Sequence, residues 1–258
     1  MIKLVVSDVD GTLIYKREKL NKKRFPVMLK SLADSDVPFF TATGRHYREI
    51  RKMFGEQTNN FISICCDGAY AVAKQTLIYS LPIPKIAIKY FFDHFPDSQI
   101  SIEFHSVDHS YILGASDKFF AKEQVRLSNI IRITNADEIK DEIYFISVYG
   151  KDISLSHECL RVSYSSDGIK EFVNRNASKY NAVHLIAKQL KIADSEILAF
   201  GDSENDNELL KKSGMAYTTY CADKKTFAIT KNHTRDVIGT IISIFDTHKK
   251  FHNQRGMI

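Results

Sequence analysis

The stretch that decides the fold is Val5-Val6-Ser7-Asp8-Val9-Asp10-Gly11-Thr12-Leu13, close to the first residue of the chain. The apolar, β-branched run from Ile2 to Val6 predicts a strand buried on both faces, as in a parallel sheet. Asp8 and Asp10 follow it at alternate positions. Two acids at this point are not typical of a packed core, and the alternative to a functional pair is an acidic surface turn after the strand. Paired carboxylates here can bind a hard cation and can supply a nucleophile and an acid/base. Gly11 permits the sharp turn that such a loop requires.

The composition is that of an ordinary globular protein, with 44% hydrophobic and 26% charged residues among 258. This length allows one large or two modest domains. The net charge of +5 suits anionic substrates, but dispersed surface lysines explain it equally well, and we favour that explanation. We expect no nucleic-acid binding, because no basic block is interleaved with aromatic residues. We expect no membrane association, because no apolar run approaches membrane-spanning length.

The cysteines bear on the compartment. Cys65, Cys66, Cys159 and Cys221 show neither CxxC spacing nor a zinc-ligand pattern, so we expect reduced thiols. The first residues predict a core strand, not the charged and apolar regions of a signal peptide. These observations predict a cytoplasmic protein.

A second polar segment follows the next predicted strand. Val37 to Ala42 predicts a buried strand that ends at Thr43-Gly44-Arg45. A hydroxyl beside a glycine and a helix amino terminus is suited to holding a phosphate oxygen, since nearby N–H groups donate and the helix dipole favours the anion. Thr43 and Gly44 are therefore candidate phosphate-binding residues. The alternative is an ordinary strand-to-helix turn.

Further candidates come from the last third of the chain. Ile197 to Phe200 predicts another buried strand, which ends at Gly201-Asp202-Ser203-Glu204-Asn205-Asp206. Asp202 and Asp206 lie one helical turn apart and can share a cation directly or through waters, although an acidic helix amino terminus is also favoured by the dipole alone. Lys179 opens a predicted helix, where a lysine opposes the dipole. That placement favours a functional role over that of a surface lysine.

The middle of the chain predicts a second domain. The pattern changes at Leu81-Pro82-Ile83-Pro84, where two prolines halt regular structure, and again at Asn174 to Ser178. The alternating strands and helices between these points predict an open antiparallel sheet with helices on one side, an α+β unit. We place the core at residues 1–81 and 178–258 and the inserted domain at residues 82–177. We expect His105 and His109 to be solvated turn residues, because no third metal ligand accompanies them.

Asp8-Val9-Asp10-Gly11-Thr12 resembles DxDGT, the first motif of the haloacid dehalogenase (HAD) superfamily of phosphohydrolases. Thr43, Lys179 and the segment 201–206 resemble motifs II, III and IV, the last in its GDxxND form, and they follow in the same order. An insertion between motifs II and III is similar to that of the Cof-type, or subclass IIB, members. The resemblance implies an α/β fold with a Rossmann-like parallel-sheet core and an inserted α+β cap. The chain departs from the family at two positions. It has Asp67-Gly68-Ala69 where relatives usually have Asn-Gly-Ala, and Tyr180 where they commonly have glycine.

The resemblance implies a Mg²⁺-dependent phosphatase that acts on small phosphorylated metabolites such as sugar phosphates. Asp8 would be the nucleophile that forms an aspartyl phosphate, and Asp10 the general acid and then the base. Mg²⁺ would be held by Asp8, the backbone carbonyl of Asp10 and Asp202, with Asp206 orienting this site or reaching the ion through water. The implied phosphate- or substrate-binding residues are Thr43, Gly44, Lys179 and Asn205.

Two other functions stay open at this point. A phosphomutase or phosphotransferase of the same fold would return the phosphoryl group to a sugar. A regulator that binds sugar phosphates would have kept the fold without useful catalysis, although such a binder has no need for Asp10. The substrate and the oligomeric state are not predicted.

Overall fold

The computed structural model describes residues 1–15, 19–94, 100–127, 129–150, 153 and 155–255, with the backbone alone at residues 126 and 247–255. Its strands are β1 (Leu4–Ser7), β2 (Phe39–Ala42), β3 (Ile62–Cys65), β4 (Tyr70–Ala73), β5 (Thr76–Ser80), β6 (Ser101–His105), β7 (Ser110–Leu113), β8 (Ile130–Ile133), β9 (Phe145–Tyr149), β10 (Leu160–Ser166), β11 (Ile169–Asn174), β12 (Ile197–Gly201), β13 (Met215–Thr219) and β14 (His233–Thr234). Its α-helices are α1 (Arg24–Ala33), α2 (Tyr47–Phe54), α3 (Lys85–His94), α4 (Asp117–Arg126), α5 (Lys179–Gln189), α6 (Asn207–Lys212), α7 (Lys224–Phe227) and α8 (Val237–Arg255). Within the described ranges, no helix combines the length and the apolar character needed to cross a membrane.

The larger sheet has eight strands in the order β14-β13-β12-β1-β2-β3-β4-β5. The strands from β14 to β3 are parallel, and β4 and β5 complete the sheet as an antiparallel hairpin. Val6 of β1 pairs with Ala199 of β12 on one side and with Phe40 of β2 on the other. The strands predicted before the polar segments are therefore direct neighbours, and their carboxyl ends meet at one edge of the sheet.

Helices cover both faces of this sheet, because β1 carries apolar side chains on each face. Val5 belongs to one buried cluster with Phe25 of α1 and Ile241 of α8. Val6 belongs to another, on the opposite face, with Val183 of α5. This three-layer arrangement confirms the predicted α/β core.

The other six strands form a second sheet in the order β10-β11-β9-β6-β7-β8. Its neighbouring strands are antiparallel except for β7 and β8, which are parallel. The sequence did not predict β8, because its residues Ile-Ile-Arg-Ile lack an alternating pattern. In the structure, Ile131 and Arg132 are both exposed. The domain boundaries at residues 81/82 and 177/178 stay a prediction.

The expectation that helices lie on one side of the second sheet is wrong. Phe91 of α3 packs edge-on against Phe104 of β6, which pairs with Ile146 of β9. Phe119 of α4 instead contacts Tyr149, with ring centroids 5.1 Å apart. Because Tyr149 lies three residues beyond Ile146 on the same strand, the two side chains point to opposite faces. Helices therefore pack on both faces.

The expectation of a solvated turn is also wrong for His105, which ends β6 and is 2% exposed. Its Nδ1 lies 3.0 Å from Nη2 of Arg48 and 2.8 Å from the hydroxyl of Ser110, and its Nε2 lies 3.2 Å from Glu103. These buried polar partners make the site favourable for an imidazole. His109 does lie in the turn and is partly exposed.

Candidate active site

Asp8 follows β1 at the carboxyl edge of the larger sheet and is 5% exposed. Its Oδ1 accepts a hydrogen bond of 2.7 Å from Nζ of Lys179. Its Oδ2 is buried and accepts no hydrogen bond from the described residues. Burial raises the pKa of Asp8 to about 8, against the lowering effect of the Lys179 ammonium. One oxygen is thus held in place while the other is available for attack or for a cation.

Lys179 begins α5, and its ammonium group lies inside the protein, with 1% of the residue exposed. It donates hydrogen bonds of 2.7 Å to Asp8 and to Oδ1 of Asp206. Burial alone would lower the pKa of Lys179, but the charges of Asp206 and Asp8 outweigh burial and raise it. The lysine therefore stays charged at the unfavourable end of the helix dipole because it bridges two carboxylates.

The carboxylates of Asp8, Asp202 and Asp206 form a cluster in which one oxygen of each lies within 4.8 Å of the others. Asp202 follows β12, and its Oδ1 accepts a hydrogen bond of 2.9 Å from Thr12. Burial raises the pKa of Asp202 to about 6 despite this hydrogen bond. Asp206 is fully buried, and its Oδ2 accepts the amides of Asp202 and Ser203 at 3.1 Å each. The loop backbone thus holds Asp206 in place.

Gly11 allows the two acidic loops to approach each other. Its φ of +82° lies in the left-handed region, and a Cβ at this position would overlap the carboxylate of Asp202. The carbonyl of Gly11 accepts a hydrogen bond of 2.9 Å from the hydroxyl of Thr219 in β13. The glycine therefore provides both the turn and the space that Asp202 occupies.

The carboxylate cluster fits a hard divalent cation. Asp8 offers a buried oxygen that has no hydrogen-bond partner among the described residues, and Asp202 offers a second carboxylate that is only partly buried. Oxygen ligands of this kind suit Mg²⁺ or Ca²⁺. The only ammonium hydrogen-bonded to the cluster within the described ranges is that of Lys179, so a cation would offset the remaining repulsion. The side chain of Asp10 does not belong to this cluster, and its predicted metal role stays a prediction.

Asp10 lies at the same loop but points toward α2. Its carboxylate pairs with Arg45 through two short contacts, and Arg45 also donates to Glu49 one turn into the helix. The hydrogen bond to Asp10, set against partial burial, raises the pKa of Arg45. Half of the Asp10 side chain is exposed, which leaves it accessible to a bound substrate.

Thr43 and Gly44 lie at the end of β2, next to β1. The side chain of Thr43 is buried, and its hydroxyl accepts the amide of Arg45 at 3.2 Å. Its carbonyl accepts the amide of Asp67, which ties this loop to the turn after β3. Among the described residues, the Thr43 hydroxyl makes no hydrogen bond to Asp8, so its phosphate-binding role stays a prediction.

Asn205, also predicted to bind substrate, is exposed and hydrogen-bonded to a carboxylate. Its amide donates to Oδ1 of Asp67 at 2.8 Å and its carbonyl oxygen accepts from Ser203 at 2.7 Å. Asp67 is 4% exposed and has φ +54°, an unusual conformation that aspartate tolerates better than most residues. Oδ2 of Asp67 faces Nη2 of Arg161 in β10, at 3.7 Å.

The sequence did not predict two of these contacts, that of Asp10 with Arg45 and that of Asp67 with Arg161. Arg45 was visible beside Gly44, but nothing in the sequence indicated that it pairs with Asp10. Asp67 was noted as a departure from the family, yet without a partner. Arg161 carried no signal, because only the fold brings β10 to the turn after β3.

Comparisons with known proteins show the family to which the chain belongs. A family model described as haloacid dehalogenase-like hydrolase matches residues 5–238. The chain is 22% identical over 242 residues to 5-amino-6-(5-phospho-D-ribitylamino)uracil phosphatase YbjI of Escherichia coli, with 89% of each protein covered. Its fold is similar to that of a haloacid dehalogenase-like hydrolase from Bacteroides thetaiotaomicron, with a TM-score of 0.78, 17% identity and coverage of 95% of this chain and 100% of the other. It is also similar to the subclass IIB sugar phosphatase BT4131, with a TM-score of 0.70, 18% identity and coverage of 97% and 99%.

The family match spans both predicted core segments and the region between them. It includes Asp8, Thr43, Lys179 and Asp202, the residues that introduced the four motifs. The structural similarity confirms the fold that the resemblance to subclass IIB implied. The chain belongs to the haloacid dehalogenase-like hydrolases.

Proposed function

We propose that the protein is a Mg²⁺-dependent phosphatase that hydrolyses phosphate monoesters of small metabolites, such as sugar phosphates. The observation that carries the proposal is the buried carboxylate of Asp8. Lys179 fixes one of its oxygens, and the other accepts no hydrogen bond within the described ranges of the chain. The similarity to a phosphoribitylaminouracil phosphatase and to the fold of a sugar phosphatase supports the substrate class.

In the first step, Oδ2 of Asp8 attacks phosphorus in line with the leaving oxygen. A phosphorus–oxygen bond to Asp8 forms as the ester bond breaks, and Asp10 gives a proton to the departing alkoxide. Lys179, Thr43 and the backbone of Gly44 bind the phosphoryl oxygens as charge redistributes. Asn205 contributes to the same substrate pocket.

In the second step, the aspartyl phosphate on Asp8 is hydrolysed. Asp10, now ionised, takes a proton from a water molecule, which attacks phosphorus. The bond to Asp8 breaks, inorganic phosphate forms, and both carboxylates return to their initial state.

Asp8, Asp202 and the backbone carbonyl of Asp10 would hold the Mg²⁺, and Asp206 would orient this site. When bound, Mg²⁺ would offset the repulsion between the Asp8 carboxylate and an anionic phosphate. The buried Oδ2 of Asp8 and the proximity of the Asp8, Asp202 and Asp206 carboxylates support a cation at this place.

Release of inorganic phosphate from a panel of phosphorylated metabolites, with and without Mg²⁺, tests the proposal. We expect Mg²⁺-dependent release that Asp8→Asn abolishes without loss of the fold. Near-normal activity of Asp8→Asn would contradict it. Product analysis also separates the alternatives, because a mutase returns the phosphoryl group to a sugar and a regulator binds its ligand without turnover.

We also propose that the protein acts in the cytoplasm without a nucleic-acid partner. Its four cysteines are free thiols, which supports a reducing compartment. Localisation of the tagged protein by cell fractionation tests this proposal.

A further inference from the structure

Arg161 extends from the second sheet to the edge of the predicted phosphoryl site. Its Nε donates a hydrogen bond of 2.8 Å to the carbonyl of Ala177, in the segment that leads into α5. Its Nη2 lies 3.7 Å from Oδ2 of Asp67, and its side chain is 30% exposed. The guanidinium is thus fixed at one nitrogen, while part of the side chain stays exposed.

Asp67 places a negative charge beside the predicted phosphate-binding residues. Its Oδ1 lies 3.4 Å from the position that a Cβ on Gly44 would occupy. A nearly buried carboxylate at this place opposes the binding of a phosphate dianion unless a cation compensates for it.

Arg161 is that compensating cation, and most of its donors are available. The distance of 3.7 Å to Asp67 allows charge attraction but is too long for a hydrogen bond. Within the part of the chain that the structure describes, neither Nη group of Arg161 donates a hydrogen bond. Guanidinium N–H groups bind phosphate oxygens in a bidentate manner, so these donors suit a phosphoryl group.

We propose that Arg161 is a phosphoryl-binding residue contributed by the second sheet, with Asp67 as its counter-ion before substrate arrives. The inference rests on the proposed function, since it assigns a further contact to the same phosphate monoester. On binding, the Nη groups of Arg161 turn from Asp67 to the phosphoryl oxygens. Asp67 therefore competes with the substrate for Arg161.

This competition predicts opposite effects for the two partners of one ion pair. We would measure the binding of inorganic phosphate by calorimetry in the presence of Mg²⁺, which requires no turnover. Arg161→Gln should weaken phosphate binding about tenfold, because it removes a charge-assisted hydrogen bond. Asp67→Asn should strengthen it about threefold, because it removes both the competitor and a nearby negative charge.

The variants suit this comparison. Asparagine tolerates the left-handed conformation of residue 67 and keeps an acceptor for Asn205. Arg175→Gln is the matched control, since Arg175 is exposed, lies in the same connecting segment, and donates to the carbonyl of Glu158. Its phosphate affinity should equal that of the wild type.

The outcomes separate this inference from the proposed function. If both Arg161→Gln and Asp67→Asn weaken phosphate binding, the pair is a structural link between the sheets and the inference is wrong. An unchanged affinity in Arg161→Gln, or no phosphate binding by the wild type, would also overturn it. If Arg161→Gln weakens and Asp67→Asn strengthens phosphate binding but no phosphate ester is hydrolysed, the phosphatase proposal fails while the binding role of Arg161 stands.

Discussion

Asp10 and Arg45 form a two-point ion pair, with Nε 2.6 Å from Oδ2 and Nη2 2.8 Å from Oδ1. The remaining nitrogen, Nη1 of Arg45, donates to Oε1 of Glu49 at 3.2 Å, so a residue of α2 fixes the guanidinium in turn. The carboxylate proposed as acid and base is therefore positioned by the loop that follows the neighbouring strand. We therefore expect Arg45 to be a positioning residue that acts through Asp10.

Replacement of Arg45 tests this positioning role. We expect Arg45→Gln to lower kcat by about 10- to 100-fold, since acid–base catalysis depends on the placement of Asp10. KM should change much less, because Arg45 acts on Asp10 and not on substrate affinity. Arg45→Lys should recover part of the rate, and the control is Arg51→Gln, which replaces an exposed arginine of α2. Equal steady-state rates for Arg45→Gln and Arg51→Gln would exclude the role.

Lys179 should contribute to stability as well as to catalysis. Lys179→Met leaves Asp8 and Asp206 buried without their cation, and breaking a buried pair in this way costs about 3–5 kcal/mol of unfolding free energy. Urea denaturation checks this value, with Lys188→Met as the control because Lys188 is exposed on the same helix. Turnover should be lost in Lys179→Met alone. If the free energies of unfolding of the two variants differ by less than about 1 kcal/mol, the ion pairs of Lys179 with Asp8 and Asp206 contribute no more than a solvated surface pair, and this account is wrong.

Gly11 should control the metal response. Gly11→Ala forces the carboxylate of Asp202 to move, so the Mg²⁺ concentration for half-maximal activity should rise about tenfold or more. Gly55→Ala is a strict control, because Gly55 also has a positive φ, of +58°, but nothing within 4 Å of the added Cβ. Gly55→Ala should lose stability without a change in Mg²⁺ dependence. The same Mg²⁺ dependence in both variants would contradict this account of Gly11.

Asp141 should make stability depend on pH. Its Oδ2 accepts from Tyr111 at 2.9 Å and from Ser106 at 3.1 Å, and it lies 2.7 Å from Nδ1 of His109. Partial burial raises the pKa of Asp141, but these hydrogen bonds outweigh it and the pKa falls below its ordinary value. The stabilisation is therefore complete above the ordinary aspartate pKa of about 4, and it is lost as pH falls through the folded-state pKa.

Asp141→Asn should thus be less stable than the wild type at neutral pH by about 1–2 kcal/mol. The gap should close as the pH is lowered through the acid range, in urea unfolding measured at successive pH values. Asp108→Asn, at an exposed position in the turn that carries Ser106 and His109, should show no such gap. A gap that is independent of pH would show that the charge of Asp141 is not responsible.

The sequence predicted what local patterns encode. The run from Ile2 to Val6 and the acids after it indicated a buried strand and its loop, because both signals lie within a few residues. The position of Lys179 against the helix dipole likewise favoured a functional role, and that role stays a prediction. By contrast, β8 was not predicted because its four residues do not alternate between apolar and polar. The burial of His105 was not predicted because it depends on partners from other elements, such as Arg48 of α2.

The relationship between Asp67 and Arg161 could not be predicted from the sequence. Each residue is ordinary in its local context, and their contact requires β10 to lie beside the turn after β3. The pairing of Asp10 with Arg45 is similar, because it depends on β1 and β2 being neighbours in the sheet. Such contacts follow from topology, which local periodicity does not specify.

The most direct test of the central claim is detection of a phosphoryl group on Asp8. The wild-type enzyme is mixed with a hydrolysed ester and Mg²⁺, quenched in acid within a single turnover, and digested for peptide mass spectrometry. We predict a phosphorylated peptide that contains Asp8 and that is absent from Asp8→Asn, with formation at least as fast as phosphate release. Rapid phosphate release without any phosphorylated Asp8 peptide would contradict the account.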